Sequence, residues 1–213
     1  MTCYSGTLQS LINEGVVVLY HDYRSGTFLD WSGTGNDGIP TAPTELNGRG
    51  MRLNLTGRLD VAADASLNLG GYDSASIFTY WPDGLVPFTG AQNYIWTESA
   101  TGGYFGFASG GLSVFIRING VTSIAVVTSI FGDRALSYSW ESGNGPLIYK
   151  NGVYESQSGT ILTKRDPQVS TSVLIGTNSI STRQIPSTFG VVLATNRALT
   201  ADEHHKIYKD LSR

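Results

Sequence analysis

The sequence predicts an all-β fold: two antiparallel sheets stacked as a sandwich, with one short helix at the C-terminal end. Three observations lead there. The 213 residues include 26 Gly, 23 Ser and 21 Thr, and only 15% are charged. Small polar residues interspersed with Val, Ile, Tyr and Trp suit strands joined by tight turns, whereas exposed helices need Lys and Glu. About a dozen short apolar or alternating segments recur at 8–12-residue spacing with no helical pattern between them, the mark of a sandwich or barrel. Finally, Asn119-Gly120 and Asn151-Gly152 each separate two such segments, and Asn-Gly favours the two-residue hairpin turn.

The elements follow in order. Leu8, Leu11 and Ile12, spaced by three and four, predict a short helix within the N-terminal segment 1–14, ended by Gly15. Val16–Tyr20 is a strand. Asp30–Gly38 has no periodicity and is a loop. Met51, Leu53 and Leu55 alternate with polar neighbours, and Leu59 and Val61 continue the pattern. Ile77–Trp81 is a strand stopped by Pro82-Asp83-Gly84, and Asn93–Thr97 and Tyr104–Ala108 follow. Leu112, Val114, Ile116 and Ile118 alternate with Ser113, Phe115, Arg117 and Asn119, and Ser123–Thr128 returns from the turn. Later strands are Ala135–Trp140, Pro146–Lys150, Val153–Ser156, Ser172–Gly176 and Thr188–Ala194. The period then changes. Thr200 and Glu203 make a capping box, and Ile207, Tyr208 and Leu211 give the helix 200–211 its apolar face. Inward phases place Val16, Val18, Leu53, Leu55, Val114, Ile116, Leu147, Tyr149, Leu174, Val191 and Leu193 in the core. The length fits one domain, 1–213.

Composition also excludes function classes. The net charge of −3 lacks the basic stripe that nucleic acid or an anionic membrane surface requires. No window of 18 apolar residues is present, so no helix crosses a membrane. The single cysteine, Cys3, cannot form an intrachain disulfide, and with three histidines it cannot build a structural zinc site. The opening MTCYSGTLQSLINEG shows no secretory signal, so use without the general secretory route is expected.

Three segments, in order, resemble laminin-G-like jelly rolls of the concanavalin-A-like lectin/glucanase superfamily. Val16–Tyr20 with Asp30, Ser32, Gly33, Gly35, Asn36, Asp37 and Gly38 is similar to the opening strand and its turn. Ser137–Trp140 with Leu147–Val153 is similar to an internal hairpin. Val173–Gly176, Phe189–Ala194 and Asn196–Glu203 are similar to the ending. Residues 82–134 depart most. The resemblance implies a jelly-roll sandwich of the kind found alone in bacteriophage virion proteins.

Catalysis has no visible basis. The superfamily glucanases carry Glu-x-Asp-x-x-Glu on one strand, and the glutamates here, 14, 45, 98, 141, 155 and 203, are scattered. No G-x-S-x-G elbow occurs, and only His21 lies outside the helix as a candidate base. No enzymatic activity and no cofactor are expected. Calcium would find oxygen ligands in Asp30, Asn36 and Asp37, but Asx-turns to the loop's own backbone explain the same residues. Binding rests on aromatic side chains. Trp31 is one candidate, and Tyr94, Trp96 and Tyr104 are the others, within a middle region, 82–134, that also carries Pro87, Phe88 and Phe105. The expected function is that of a virion structural protein, a capsid decoration or tail or fibre component whose partners are other virion proteins or copies of itself. The alternative is a carbohydrate-binding lectin-like module or surface adhesin, with glycans as partners and the bacterial cell surface or a non-classical secreted route as its location.

Overall fold

The computed structural model describes residues 6–41, 44–53, 57–86, 92–98, 103–108, 113–165, 169–176 and 187–213. Along the chain these form α1 (Gly6–Asn13), β1 (Val17–Asp22), β2 (Gly38–Thr41), β3 (Thr44–Leu46), β4 (Met51–Leu53), β5 (Arg58–Asp64), β6 (Ser74–Tyr80), β7 (Gln92–Glu98) and β8 (Tyr104–Ala108). There follow β9 (Ser113–Ile118), β10 (Val121–Val126), β11 (Ala135–Glu141), β12 (Leu147–Lys150), β13 (Val153–Gln157), β14 (Thr171–Ile175), β15 (Thr188–Phe189), β16 (Val191–Thr195) and α2 (Ala201–Leu211).

All described strand pairs are antiparallel. A six-stranded sheet runs β1-β16-β6-β11-β12-β13, a seven-stranded sheet runs β10-β9-β8-β7-β14-β5-β2, and β15-β4-β3 form a small third sheet. The two large sheets stack. Between them lie Val18, Leu59, Val61, Ile77, Trp81, Ile95, Trp96, Phe105, Phe107, Val114, Ile116, Tyr138, Trp140, Val173 and Ile175, all buried. Alternation explains most of this layer, because successive side chains of a strand face opposite sides.

The outer face of the six-stranded sheet is apolar as well. Val17, Tyr20, Phe78, Tyr80, Ala135, Val191 and Leu193 are buried there under Leu8 and Leu11 of α1, Ile207 and Leu211 of α2, and Leu199. With both faces covered, β1 opens and β16 runs as nearly continuous apolar segments, Val17–Tyr20 and Val191–Ala194. A bulge between Val17 and Leu19 turns both Val18 and Leu19 into the inter-sheet core.

Both hairpin turns form as the sequence predicts. Asn119 and Gly120 have φ of 50° and 79°, and Asn151 and Gly152 have 49° and 76°, the positive pair a type I′ turn requires. Gly152 also lies against α2: a Cβ there would stand 2.8 Å from His205 Cα.

Three of the residues expected to be mostly buried are covered only in part. Leu174 is half-buried, because Val173 and Ile175 take the core phase of β14. Leu147 is half-buried for the same reason, with Ile148 facing the core of β12. Val16, at the junction of α1 and β1, is also half-buried. Leu55 lies outside the described residues.

Candidate functional site

The seven-stranded sheet carries one row of directly opposed residues across all its strands: Ile39, Asp60, Leu174, Thr97, Tyr104, Arg117 and Thr122. Opposed residues share a face. Their strand neighbours Leu59, Val173, Ile175, Phe105 and Ile116 fill the core, so this row looks outward.

On that face the structure brings together two of the four predicted aromatics. Tyr94 and Tyr104 meet edge to face at 5.4 Å between ring centroids, and Phe115 closes a triangle at 5.4 Å from Tyr94 and 5.3 Å from Tyr104. Such T-shaped pairs contribute about 0.5–1.5 kcal/mol each beyond their buried area. Phe115 fits because β8 has Gly106 beneath it: a Cβ there would lie 2.9 Å from the Phe115 ring. Tyr94 and Phe115 are buried in the triangle, and Tyr104 is its half-exposed member. The Arg117 guanidinium lies 5.6 Å from the Tyr104 ring centroid, within cation–π range, and the Tyr104 hydroxyl is 3.3 Å from Thr122 Oγ1.

Trp96 departs from its expected exposure. A bulge between Tyr94 and Trp96 puts both Ile95 and Trp96 in the core, with Trp96 1% exposed. Phe105 is core for the ordinary reason of strand phase. Trp31 is exposed but elsewhere, its backbone N–H bonded to Tyr20 O beside β1. Pro87 and Phe88 lie outside the described residues. Sequence reasoning passed over Phe115 and Arg117, although a large aromatic in the polar phase of β9 is itself a sign of a second buried layer.

The loop 30–38 is closed upon itself. Asp30 Oδ1 accepts from the Tyr20 and Ser32 N–H groups at 2.9 Å each. Its Oδ2 faces the Ser32 and Thr34 hydroxyls at 2.7 Å each and the Asn36 N–H at 3.0 Å. Burial raises the Asp30 pKa, but these donors outweigh it and hold the carboxyl below its usual range. Asn36 is buried, its amide nitrogen 2.8 Å from Val18 O and 3.0 Å from Ser66 Oγ. Asp37 Oδ1 accepts from Asp30 N–H at 2.7 Å. Both Asp30 carboxylate oxygens and Asp37 Oδ1 are thus engaged by protein donors. His21 Nε2 is 2.8 Å from Asn36 O, which can only accept, so that nitrogen carries the proton and Nδ1 faces Tyr23 OH at 3.2 Å. Burial lowers the His21 pKa.

A Ser–His contact exists under α2. His204 Nδ1 and Nε2 lie 2.8 Å from Ser137 Oγ and Ser139 Oγ, and its ring stacks on Tyr149 at 4.0 Å and 23°. All three polar residues are buried, and Ser139 borders a surface groove. Burial pushes the His204 pKa down to about 3, which keeps the ring neutral. Beside them a groove of about 460 Å³ is lined by Glu141, Asn144, Leu147, Tyr149, Gln157 and Thr200.

No family model matches this sequence, and no curated protein matches it. Solved structures do match. One, described as "Cell entry of botulinum neurotoxin type C is dependent upon interaction with two ganglioside molecules", superposes with a TM-score of 0.70 at 15% identity, over 96% of this chain and 53% of that one. The binding domain of botulinum neurotoxin DC in complex with rat synaptotagmin II gives 0.68 at 14% identity, over 94% and 52%. The same binding domain in complex with SialylT gives 0.66 at 15% identity, over 92% and 51%. The chain thus spans about half the length of these relatives. At such identity the likeness is one of fold, and the fold it shows is the β-sandwich of toxin binding domains.

Proposed function

We propose that this chain is a non-enzymatic, lectin-like module that binds glycans through the outer face of the seven-stranded sheet. The observation that carries the reading is the half-exposed Tyr104 at the corner of the aromatic triangle, flanked by Arg117 and Thr122. A fixed ring bordered by hydrogen-bonding groups is what a sugar needs: its C–H face packs on the ring and its hydroxyls meet the polar rim. The fold neighbours support the class of function, since they are binding domains and their descriptions name ganglioside molecules and SialylT. A glycan array with the whole chain tests this. Reproducible sugar binding, weakened at least tenfold by Tyr104→Ala in a variant that melts like the parent, is the expected result. Absence of binding to any glycan at millimolar concentration would overturn it.

A virion structural role is the second reading, favoured by a different surface. Among the described residues strand β10 ends the order of its sheet; Ile124 O accepts from Ser158 Oγ at 3.1 Å, and Ile124 and Val126 are 55% and 76% exposed. Sheet edges with exposed apolar side chains invite protein contacts. Here the partners are other virion proteins or further copies of the chain, and the location is the particle. For the glycan reading, the bacterial cell surface or the medium is the location. Sizing chromatography separates the two: assemblies that dissociate on Val126→Lys support the structural role, and a monomer at all concentrations opposes it.

A further inference from the structure

We propose that the glycan recognised on this face is acidic, with Arg117 pairing its carboxylate or sulfate group beside Tyr104; the inference rests on the glycan-binding reading above. Arg117 is half-buried, next to last in β9. It takes part in none of the ion pairs among the described residues. Its Nε–H is buried without an acceptor. Its half-buried guanidinium has no acid partner among the described residues, so an anionic ligand would meet a cation not already neutralised by the protein.

The surroundings favour an anion from outside over one from the protein. The acid in the same row, Asp60, stands four strands away, about 19 Å at the usual strand spacing. It is also already paired, Arg58 Nε donating to Asp60 Oδ1 at 2.7 Å. The remaining neighbours across the strands are Tyr104 and Thr122, which bring hydroxyls and no charge. Arg117 therefore has no internal competitor in its row, and the protein's net charge of −3 makes this local cation an exception to its setting.

Geometry points the same way. Guanidinium groups take carboxylate and sulfate through two parallel hydrogen bonds. Stacking on Tyr104, which Tyr94 and Phe115 brace from two sides, holds the Arg117 fork before the ligand arrives and reduces the ordering cost of binding. Tyr104 OH and Thr122 Oγ1, 3.3 Å apart, are placed to meet the hydroxyls of the same sugar.

The test compares 3′-sialyllactose, a sulfated heparin disaccharide and neutral lactose by calorimetry on the whole chain, the Arg117→Gln variant and the Arg117→Lys variant. The expected result is that one acidic sugar binds at least tenfold more tightly than lactose. Arg117→Gln removes that preference, bringing the acidic-sugar affinity down to that of lactose measured on the same variant, and Arg117→Lys falls between. Whether the sialyl or the sulfated arm responds identifies the acid. Equal affinity of the acidic sugars for the parent and Arg117→Gln overturns the inference and leaves glycan binding standing. Failure of all three sugars, together with a blank glycan array, overturns the glycan reading itself and this inference with it. Should Arg117→Gln not fold, judged by its melting curve, Arg117→Lys decides by the same comparison.

Discussion

His204 is neutral in the folded protein because burial, opposed only by the charge of Glu203, brings its pKa to about 3. In the unfolded chain the same ring titrates near 6.5. Between those values the unfolded state binds a proton that the folded state refuses, so stability is complete above pH 6.5 and falls as the pH drops toward 3. The slope from this residue is at most about 1.4 kcal/mol per pH unit. Glu203, held at about 2 by Arg197 and the Thr200 cap, adds a second loss between pH 4.5 and 2. Urea unfolding at pH 7.5, 6.0 and 4.5 should show the midpoint falling from step to step. His204→Phe, which keeps the stack between Phe78 and Tyr149, should make the curve flatter over that interval. An unchanged slope in the variant would show that His204 does not carry the dependence.

The second helix depends on its first turn. Thr200 Oγ1 accepts from Glu203 N–H at 3.3 Å, Glu203 Oε2 accepts from Thr200 N–H at 2.8 Å, and Arg197 grips the same carboxylate. Thr200→Ala should cost about 1 kcal/mol of unfolding free energy, read from the urea midpoint at pH 7. Overlaying curves would mean that α2 is not coupled to the sandwich. This box was legible in the sequence because it is local: two residues three apart decide it. The Asn-Gly turns were legible for the same reason. Trp96 was not, because a bulge one residue earlier on β7 reverses its phase, and nothing in the sequence around Tyr94 marks a bulge. Arg117 and Thr122 could be placed on one hairpin by the Asn119-Gly120 turn. That Tyr104 and Thr97 continue their row depends on which strands become neighbours, and that is decided by packing across the whole sandwich.

At the scale of the molecule, the six-stranded sheet is buried on both faces, so its helices are part of the core rather than additions to it. A chain ended at residue 196 loses Leu199, Ile207 and Leu211, which cover Phe78, Tyr80, Val191 and Leu193. Each large apolar side chain returned to water costs about 1.5–3 kcal/mol, a large share of the 5–15 kcal/mol that holds a domain together. The truncated chain should bind a hydrophobic dye strongly and sediment as aggregates where the full chain stays dispersed. A truncated chain that remains monomeric with its original melting temperature would contradict this account of the layer.

The two helices that cover this sheet come from opposite ends of the chain, yet they pack beside each other on one side of the sandwich, with Leu8, Leu11, Ile207 and Leu211 in a single cluster. The Tyr104–Arg117 face is on the other side. Whatever is joined beyond Arg213, whether a tag, a linker or a neighbouring module, is therefore attached at the rear, next to α2, and the aromatic face points away from the attachment. Anchored to a bead or sensor chip through that residue, the protein presents the Tyr104–Arg117 face to solution.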